Sequence, residues 1–334
     1  MGICVREDME VQVRIIICEA KNKMLKTDIH ADDYALTVNT SRDMLSCMCR
    51  GQLDSISIVP NMSCFEECME LFYESIPRMP FLPRMSVHLD FVEGRCLAGA
   101  DRVPYFTEQN SSLMGLSWGG LFALSYIPWK RGEAKKQLKM EIRAQIEVVN
   151  AAVDRAVETA GQAGVPCGQK GIRIDSHQHA HMIPVVWEAL TEVIAEEHYE
   201  VEYIRNSKEM MGVFIREFSL WKTYRPINFV KNRLLSLYSH KVDRYADVNH
   251  MEQMYLWGLI MSGYMDYDRI VKLYPKIAQK AGENGRVLEI LFHPGSTLPG
   301  EITDEIGEEA AKEFYLRPDR QVEMKTVGRI RELI

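Results

Sequence analysis

The chain has 334 residues, of which 46% are hydrophobic and 26% are charged, and its formal net charge is −7. This composition is ordinary for a globular protein, and the length suits a single α/β barrel domain. Because the acidic balance excludes the basic surface that nucleic acids and acidic membranes attract, we expect neither partner.

The start of the chain and its cysteines predict the cellular compartment. Residues 1–18, MGICVREDMEVQVRIIIC, lack the positive segment and the long apolar run of a signal peptide. The longest apolar runs are too short to span a membrane. The eight cysteines have no CxxC spacing and are typical of free thiols in a reducing environment. We therefore expect a cytoplasmic protein.

Predicted strands and helices alternate along the chain. The predicted strands are 11–18, a short strand ending near His30, 53–61, 84–94, 171–177, 199–206 and 285–295. The predicted helices include 141–161, 183–198 and most of 207–285, most clearly 254–282. This alternation is typical of βαβ units in a parallel sheet or barrel. No internal repeat or composition shift marks a second domain, so we expect one domain over 1–334.

Residues 95–140 are expected to form a long loop or lid, because their first part is rich in Gly, Ser, Pro and aromatic residues and lacks a period. Its aromatic side chains are candidates for stacking on sugar rings or for packing the lid. They are Tyr105, Phe106, Trp118 and Trp129.

The segment RIDSHQHAHMIP, residues 173–184, carries three histidines at alternate positions. In a helix His177 and His181 would share a face, whereas in a strand His179 would join them. Pro184 and the apolar spacing after it favour a strand that ends near residue 177 and a loop beyond it. Three histidines beside an aspartate in a loop favour a metal-binding or catalytic role.

Asp32, Asp33, His88 and His293 lie at or near the ends of other predicted strands. The carboxyl ends of parallel strands face one side of an α/β fold, so these side chains can converge there. Each has a plainer interpretation: the aspartates as helix caps, His88 as a strand residue and His293 as a turn residue. Beside histidines, however, one aspartate can bind a cation while the other takes a proton from water.

Five motifs, in this order, resemble the YdjC-like carbohydrate deacetylase family. They are HADDYALT (30–37), VHLDFVEG (87–94), EIRAQIE (141–147), IDSHQHAHMIP (174–184) and LEILFHPG (288–295). The resemblance covers the chain from about residue 26, so residues 1–22 form an N-terminal extension, and 95–140 aligns poorly. It implies a TIM-barrel-like (β/α) fold related to polysaccharide deacetylases. It also implies metal-dependent removal of acetyl groups from N-acetylated sugars such as chitooligosaccharides.

Residue by residue, the resemblance implies roles for the side chains of these motifs. Asp33, His88 and His177 are the implied ligands of one divalent metal ion, and Asp32 is the implied general base. His181 and His293 are implied near the reacting carbonyl and the leaving amine. The expected substrate contacts are His179, Tyr34 and Trp118. The chain departs from the family pattern at His30, Tyr34 and Val87, where Asn, Phe and Gly are usual.

The sequence therefore predicts a hydrolase that deacetylates a small carbohydrate with one divalent metal ion. Nitrogen and oxygen ligands tolerate both Mg²⁺ and Zn²⁺, so the identity of the metal stays open. Hydrolysis of another amide, ester or phosphoester is an alternative, for which Lys26, Arg84 and Arg173 are the candidate phosphate contacts. A non-catalytic sugar- or metal-binding protein is a further alternative, and a homodimer is left open.

Overall fold

The computed structural model describes residues 26–307 and 309–334. The predicted strand 11–18 and the N-terminal extension 1–22 lie outside the described residues.

The described strands form one seven-stranded parallel sheet in the order β5-β4-β3-β2-β1-β7-β6. They are β1 (Thr27–Tyr34), β2 (Ser55–Ile58), β3 (Arg84–Leu89), β4 (Ile172–Ser176), β5 (Val201–Ile204), β6 (Met254–Trp257) and β7 (Val287–Phe292). Tyr203 in the edge strand β5 forms a bridge with Glu252, just before the opposite edge strand β6. The sheet therefore curls until its edges approach each other, and the predicted α/β barrel-like fold is confirmed.

Helices surround this barrel. The α-helices of the described segments are α1 (Val38–Cys49), α2 (Phe65–Ser75), α3 (Trp118–Leu124), α4 (Pro128–Ala163), α5 (Pro184–Glu196), α6 (Met211–Ile215), α7 (Pro226–Val248), α8 (Tyr267–Glu283), α9 (Glu309–Tyr315) and α10 (Asp319–Val327). Short 3₁₀ segments lie at Ile76–Arg78, His177–Met182, Phe218–Thr223, Pro299–Glu301 and Ile330–Glu332. Within the described residues, no helix is both long and apolar enough to cross a membrane.

The strands alternate between an apolar outer face and a polar inner face. In β1, Ile29 and Ala31 belong to the buried apolar core, whereas Asp28, His30 and Asp32 bond to polar side chains of other strands. Side chains of a strand point alternately to opposite faces, so one face of the sheet packs beneath the helices. The other face fills the barrel with hydrogen-bonded and charged groups.

Two predicted elements differ from the structure. Residues 254–282 were expected to be helical, but 254–257 form β6 and the helix starts only at Tyr267. A short buried strand is a continuous apolar run that periodicity cannot distinguish from a helix. Within the expected loop 95–140, α3 and the start of α4 are helical, and α4 begins at Pro128 rather than near residue 141.

Candidate metal centre and active site

One polar cavity of about 290 Å³ lies at the carboxyl ends of the strands. Its wall comes from the ends of β1, β3, β4, β6 and β7, from α7 and from the C-terminal part of the chain. The lining residues are Asp32, Asp33, His88, Glu93, His177, Gln178, His179, Arg225, Asn228, Lys231, Gly258, Leu259, Ser262, Leu291, His293, Ala311, Phe314 and Tyr315. Six of the predicted site residues are among them: Asp32, Asp33, His88, His177, His179 and His293.

A bulge at the end of β1 brings two neighbouring aspartates to this cavity. The register with β2 shifts between Ala31 and Tyr34, and Asp33 has a φ of 70°. Such a bulge interrupts the alternation of a strand and redirects its side chains. Asp32 and Asp33 therefore both face the cavity instead of pointing to opposite sides. Aspartate tolerates this left-handed conformation better than most residues.

Asp33, His88 and His177 converge at the bottom of the cavity. Asp33 Oδ1 lies 3.6 Å from His88 Nε2 and 3.4 Å from His177 Nδ1, and all three side chains are buried. One potential ligand atom from each lies within 4.8 Å of the others. Asp33 Oδ1 has no hydrogen-bond partner among the residues that the structure describes. A buried, unpaired carboxylate oxygen facing two imidazoles is a donor set that fits a divalent cation.

Neighbouring groups fix two members of this triad in a form suited to a cation. His88 Nδ1 lies 2.6 Å from Asp175 Oδ1, which holds the ring proton there and leaves the Nε2 lone pair facing Asp33. Arg320 donates to Asp33 Oδ2 at 3.0 Å. Burial alone would raise the pKa of Asp33, but the neighbouring His177 imidazole and the charge of Arg320 lower this pKa well below its usual range. Asp33 is therefore an anion with one free oxygen.

Asp32 lies beside the triad and is held by Arg205. The guanidinium donates to both carboxylate oxygens at 2.9 Å, and His30 Nε2 lies 3.0 Å from Oδ1. Although burial favours the protonated form, the charges of Arg205 and His88 hold the pKa of Asp32 well below its usual range. Asp32 is thus outside the Asp33–His88–His177 triad, although with His30 and Asp175 it forms another group whose potential ligand atoms lie within 4.8 Å of one another. Its carboxylate is fixed in place and ionised.

His179 and His293 also reach the cavity. His179 Nδ1 lies 2.9 Å from Ser207 Oγ, and burial, with the nearby charge of Lys231, lowers the pKa of His179 well below its usual value. His293 directly follows β7, and its backbone N–H donates to Glu323 Oε2 at 2.6 Å. Its Nδ1 has no hydrogen-bond partner in the described part of the chain. Both residues line the cavity wall.

The structure corrects the expectation for His181. Its imidazole is fully buried between Ser176 Oγ at 2.6 Å and the backbone oxygen of Arg205 at 2.7 Å, and it does not line the cavity. Burial lowers the pKa of His181 to about 4. Gln178 and His179 have left-handed backbone conformations, with φ of 51° and 60°. This turn separates His181 from its neighbours, so it positions the loop and does not reach a reacting carbonyl.

Tyr34 and Trp118, two of the predicted substrate contacts, are also placed elsewhere. Tyr34 follows the bulge on the outer face of β1, where its hydroxyl donates to the Cys68 carbonyl at 2.7 Å and its ring packs against Phe72. Trp118 stacks on Phe122 at 5.5 Å between ring centroids and is not part of the cavity wall. Neither side chain lines the cavity that contains the triad.

The cavity contains cations that the sequence did not single out. Arg84 and Arg173, expected as phosphate contacts, pair with Asp28 at the opposite end of the barrel. Instead, Arg225 and Lys231 line the cavity, and neither forms an ion pair within the described ranges. Burial lowers the pKa of Lys231 to about 8. Neither residue belongs to a motif, and both lie in the region 207–285 that the sequence predicts to be mostly helical.

Other side chains that contact the candidate site were also not singled out in the sequence. Asp175 lies inside the histidine motif and could have been found, since an aspartate in a buried strand needs a partner. Arg205 follows β5, and Tyr315 and Arg320 belong to the C-terminal helices. Their sequence surroundings resemble an ordinary strand end and ordinary surface helices, so only the fold reveals their contacts.

The fold and the cavity together define an α/β barrel-like protein with a buried aspartate–histidine centre that could hold a metal ion. A sequence profile described as YdjC-like protein matches residues 28–158 and 167–329. The chain therefore belongs to the YdjC-like family.

A solved structure from Enterococcus faecalis, described as a "putative cellobiose-phosphate cleavage protein", is similar in fold. The TM-score is 0.56 and the sequence identity is 17%, with 92% of this chain and 94% of that chain covered. At this identity the similarity shows the shared fold alone.

Proposed function

We propose that this protein is a metal-dependent carbohydrate deacetylase that removes acetyl groups from N-acetylated mono- or oligosaccharides of the chitooligosaccharide type. The observation that carries this proposal is the meeting of Asp33, His88 and His177 around one unpaired carboxylate oxygen, with the ionised Asp32 beside them. Membership of the YdjC-like family supports a carbohydrate as the substrate.

Asp33, His88 and His177 are the side chains that would hold the divalent cation. When bound, such a cation polarises a carbonyl and lowers the pKa of a water ligand from near 16 to about 7. Three protein ligands leave coordination positions open, as a catalytic site requires. The donor set accommodates Mg²⁺ or Zn²⁺, and we leave both in the proposal.

Asp32 is the proposed general base. Because Arg205 binds both of its oxygens, the carboxylate cannot rotate freely, and its low pKa keeps it ionised at neutral pH, which is the form that a general base requires. Positioned proton transfer of this kind contributes about 100- to 10,000-fold to rate. In amide hydrolysis this proton comes from the attacking water.

His293 is the proposed donor of the proton that the leaving amine requires. It lines the cavity, and its Nδ1 has no hydrogen-bond partner within the described residues and lies 3.8 Å from Glu323 Oε2. His179, held by Ser207, is the proposed sugar contact from the histidine segment. The cavity of about 290 Å³ is at the small end of the range of small-molecule sites, which suits one or two sugar units.

The direct test is acetate release over a panel of N-acetylated sugars, measured with the metal-loaded protein, after chelation, and after the cation is restored. We expect release from at least one sugar, its loss with the chelator and its recovery with Mg²⁺ or Zn²⁺. If no acetate is released from any sugar under any of these conditions, the proposed deacetylase activity is wrong.

A second candidate substrate class is a sugar phosphate. Arg225 and Lys231 line the cavity without a carboxylate partner in the described parts of the chain, and such cations suit a phosphate group. The structural neighbour is described as acting on cellobiose phosphate. Measuring acetate, inorganic phosphate and free sugar from phosphorylated and unphosphorylated substrates separates deacetylation of a sugar phosphate from cleavage of another bond.

A further inference from the structure

Tyr315, in the C-terminal helix α9, reaches back to the imidazole of His177. Its hydroxyl oxygen lies 3.1 Å from His177 Nε2 and 2.8 Å from Glu93 Oε2. All three side chains are buried, and Glu93 is only 2% exposed. Glu93 Oε1 lies 3.7 Å from the same Nε2 and has no hydrogen-bond partner among the described residues.

The chemistry of Tyr315, Glu93 and His177 determines which side chain donates in each hydrogen bond. A tyrosine hydroxyl has one proton, and the carboxylate of Glu93 can only accept, so Tyr315 donates to Glu93. The hydroxyl oxygen is then free to accept the Nε2–H of His177. With this ring proton held at Nε2, the lone pair of Nδ1 faces Asp33 Oδ1, which is 3.4 Å away.

We propose that Glu93 and Tyr315 are positioning residues that hold the Nε2–H of His177 and present its Nδ1 to the cation. The inference rests on the metal site of the proposed function, but not on its substrate. Groups that accept the second ring proton of a ligating histidine fix its tautomer and orientation, and their loss typically weakens metal affinity about 10- to 100-fold. The C-terminal segment thereby becomes part of the metal centre.

A second cation is the competing arrangement. Asp90, Glu93 and His177 also offer one ligand atom each within 4.8 Å, and Asp90 Oδ2 is unpaired in the described part of the chain. A cation in that position would need the Nε2 of His177 without a proton. The hydroxyl of Tyr315 at 3.1 Å from this nitrogen favours the protonated form. The stoichiometry of binding separates the two arrangements.

The experiment is a titration of the metal-free protein with Co²⁺, followed by calorimetry and by the visible absorption that reports cobalt coordination. Glu93→Gln keeps the size of the side chain and removes its charge, whereas Tyr315→Phe keeps the ring and removes one oxygen. Tyr73→Phe is the matched control, because its hydroxyl donates to the Ala152 carbonyl outside the cavity. The unfolding temperature of each metal-free variant is recorded alongside.

We expect one Co²⁺ per chain, affinities about 10- to 100-fold weaker in Glu93→Gln and Tyr315→Phe with altered cobalt spectra, and unchanged binding in Tyr73→Phe. Unchanged affinity and spectra in both variants would overturn the inference, as would two cations per wild-type chain and one in Glu93→Gln. Co²⁺ binding without acetate release from any sugar would remove the proposed function and leave the inference intact. A wild-type chain that binds no cation would remove both.

Discussion

Both ends of the barrel interior contain buried charged side chains, but the two ends differ in how these side chains are hydrogen-bonded. At the amino end, Asp28 accepts from Ser55 at one oxygen and from Arg84 at the other, and the Arg173 guanidinium lies 4.3 Å over the Tyr203 ring. At the carboxyl end, by contrast, one carboxylate oxygen of each of three acids has no hydrogen-bond partner in the described residues. They are Asp33 Oδ1, Asp90 Oδ2 and Glu93 Oε1.

This difference shows that buried charge alone does not mark a functional site. Buried polar groups are nearly always hydrogen-bonded, and the amino end follows that rule for its carboxylate. Unpaired acceptors packed around imidazoles repel one another unless a cation or a proton joins them. The carboxyl end could therefore hold a metal ion, whereas both oxygens of the Asp28 carboxylate at the amino end are already hydrogen-bonded.

Removing the central acceptor should have the largest effect. Asp33→Asn takes away the charged oxygen that faces both imidazoles, so we expect cation affinity and deacetylation to fall by at least about 1,000-fold. Calorimetric titration with Zn²⁺ and an acetate assay measure the two quantities. Asp28→Asn makes the same chemical change at the amino end and should leave cation affinity within about 2-fold, since that residue contacts no candidate ligand. Equal losses of cation affinity in both variants would contradict the assignment of cation binding to the carboxyl end alone.

The second-largest expected effect is that of Asp32→Asn, which should lower catalysis without weakening metal binding. Asp32→Asn removes the proposed base but keeps the side-chain shape, so kcat should fall about 100- to 10,000-fold. Because Asp32 is outside the candidate ligand set, cation affinity should change little. Steady-state acetate release and metal titration on the same preparation test this, and a variant with near wild-type kcat would rule out Asp32 as the base.

At the amino end the expected effect is on stability. Asp28→Asn leaves Arg84 and Arg173 without their buried anion, and breaking such a pair costs about 3 kcal/mol. Burial alone would raise the pKa of Asp28, but the charges of those two arginines lower it below its usual value. The stabilisation is therefore present above the unfolded-state pKa of about 3.9 and is lost as the pH falls through the lower folded-state value. Urea unfolding at pH 7 and at pH 3 should show the difference between wild type and variant shrinking, and a constant difference would argue against the ion pair as its source.

The smallest predicted effect concerns Lys231 and a phosphorylated substrate. Because burial lowers the pKa of Lys231 to about 8, its charge is present below that pH and is lost above it. The KM for a sugar phosphate should therefore rise about 10-fold between pH 7 and pH 9, the size of one charge-assisted hydrogen bond. Lys231→Met should have the higher KM at pH 7, and the KM of wild type should approach that of the variant at pH 9. An exposed lysine on the same helix, Lys241, provides the control, and a wild-type KM that does not change with pH would contradict the assignment.

Much of the fold was predictable from local pattern. The strands β1, β3, β4 and β7 have alternating or apolar stretches that end in polar motifs, and parallel strands bring their carboxyl ends together. From the strand ends we expected these polar motifs to converge, and the family resemblance implied Asp33, His88 and His177 as the ligand set, although 144 positions separate the first from the last (177 − 33). Strand β6 was missed because its four residues, MYLW, form an apolar run without a distinguishing period.

The details of the site depend on backbone geometry that the pattern does not contain. The left-handed turn at Gln178 and His179 sends His181 away from the cavity, and the bulge in β1 sends Tyr34 to the outer face. Contacts from distant segments were equally invisible, since Arg320 reaches Asp33 across 287 positions. Such pairings follow from how the C-terminal helices pack, which no local sequence signal encodes.

The central claim is that one cation binds between β1, β3 and β4, and diffraction from crystals grown with Zn²⁺ tests it most directly. Anomalous scattering at the zinc edge should show a peak about 2.0–2.2 Å from Asp33 Oδ1, His88 Nε2 and His177 Nδ1. A cavity without zinc, or a peak held instead by Asp90, Glu93 and the Nε2 of His177, would contradict the account.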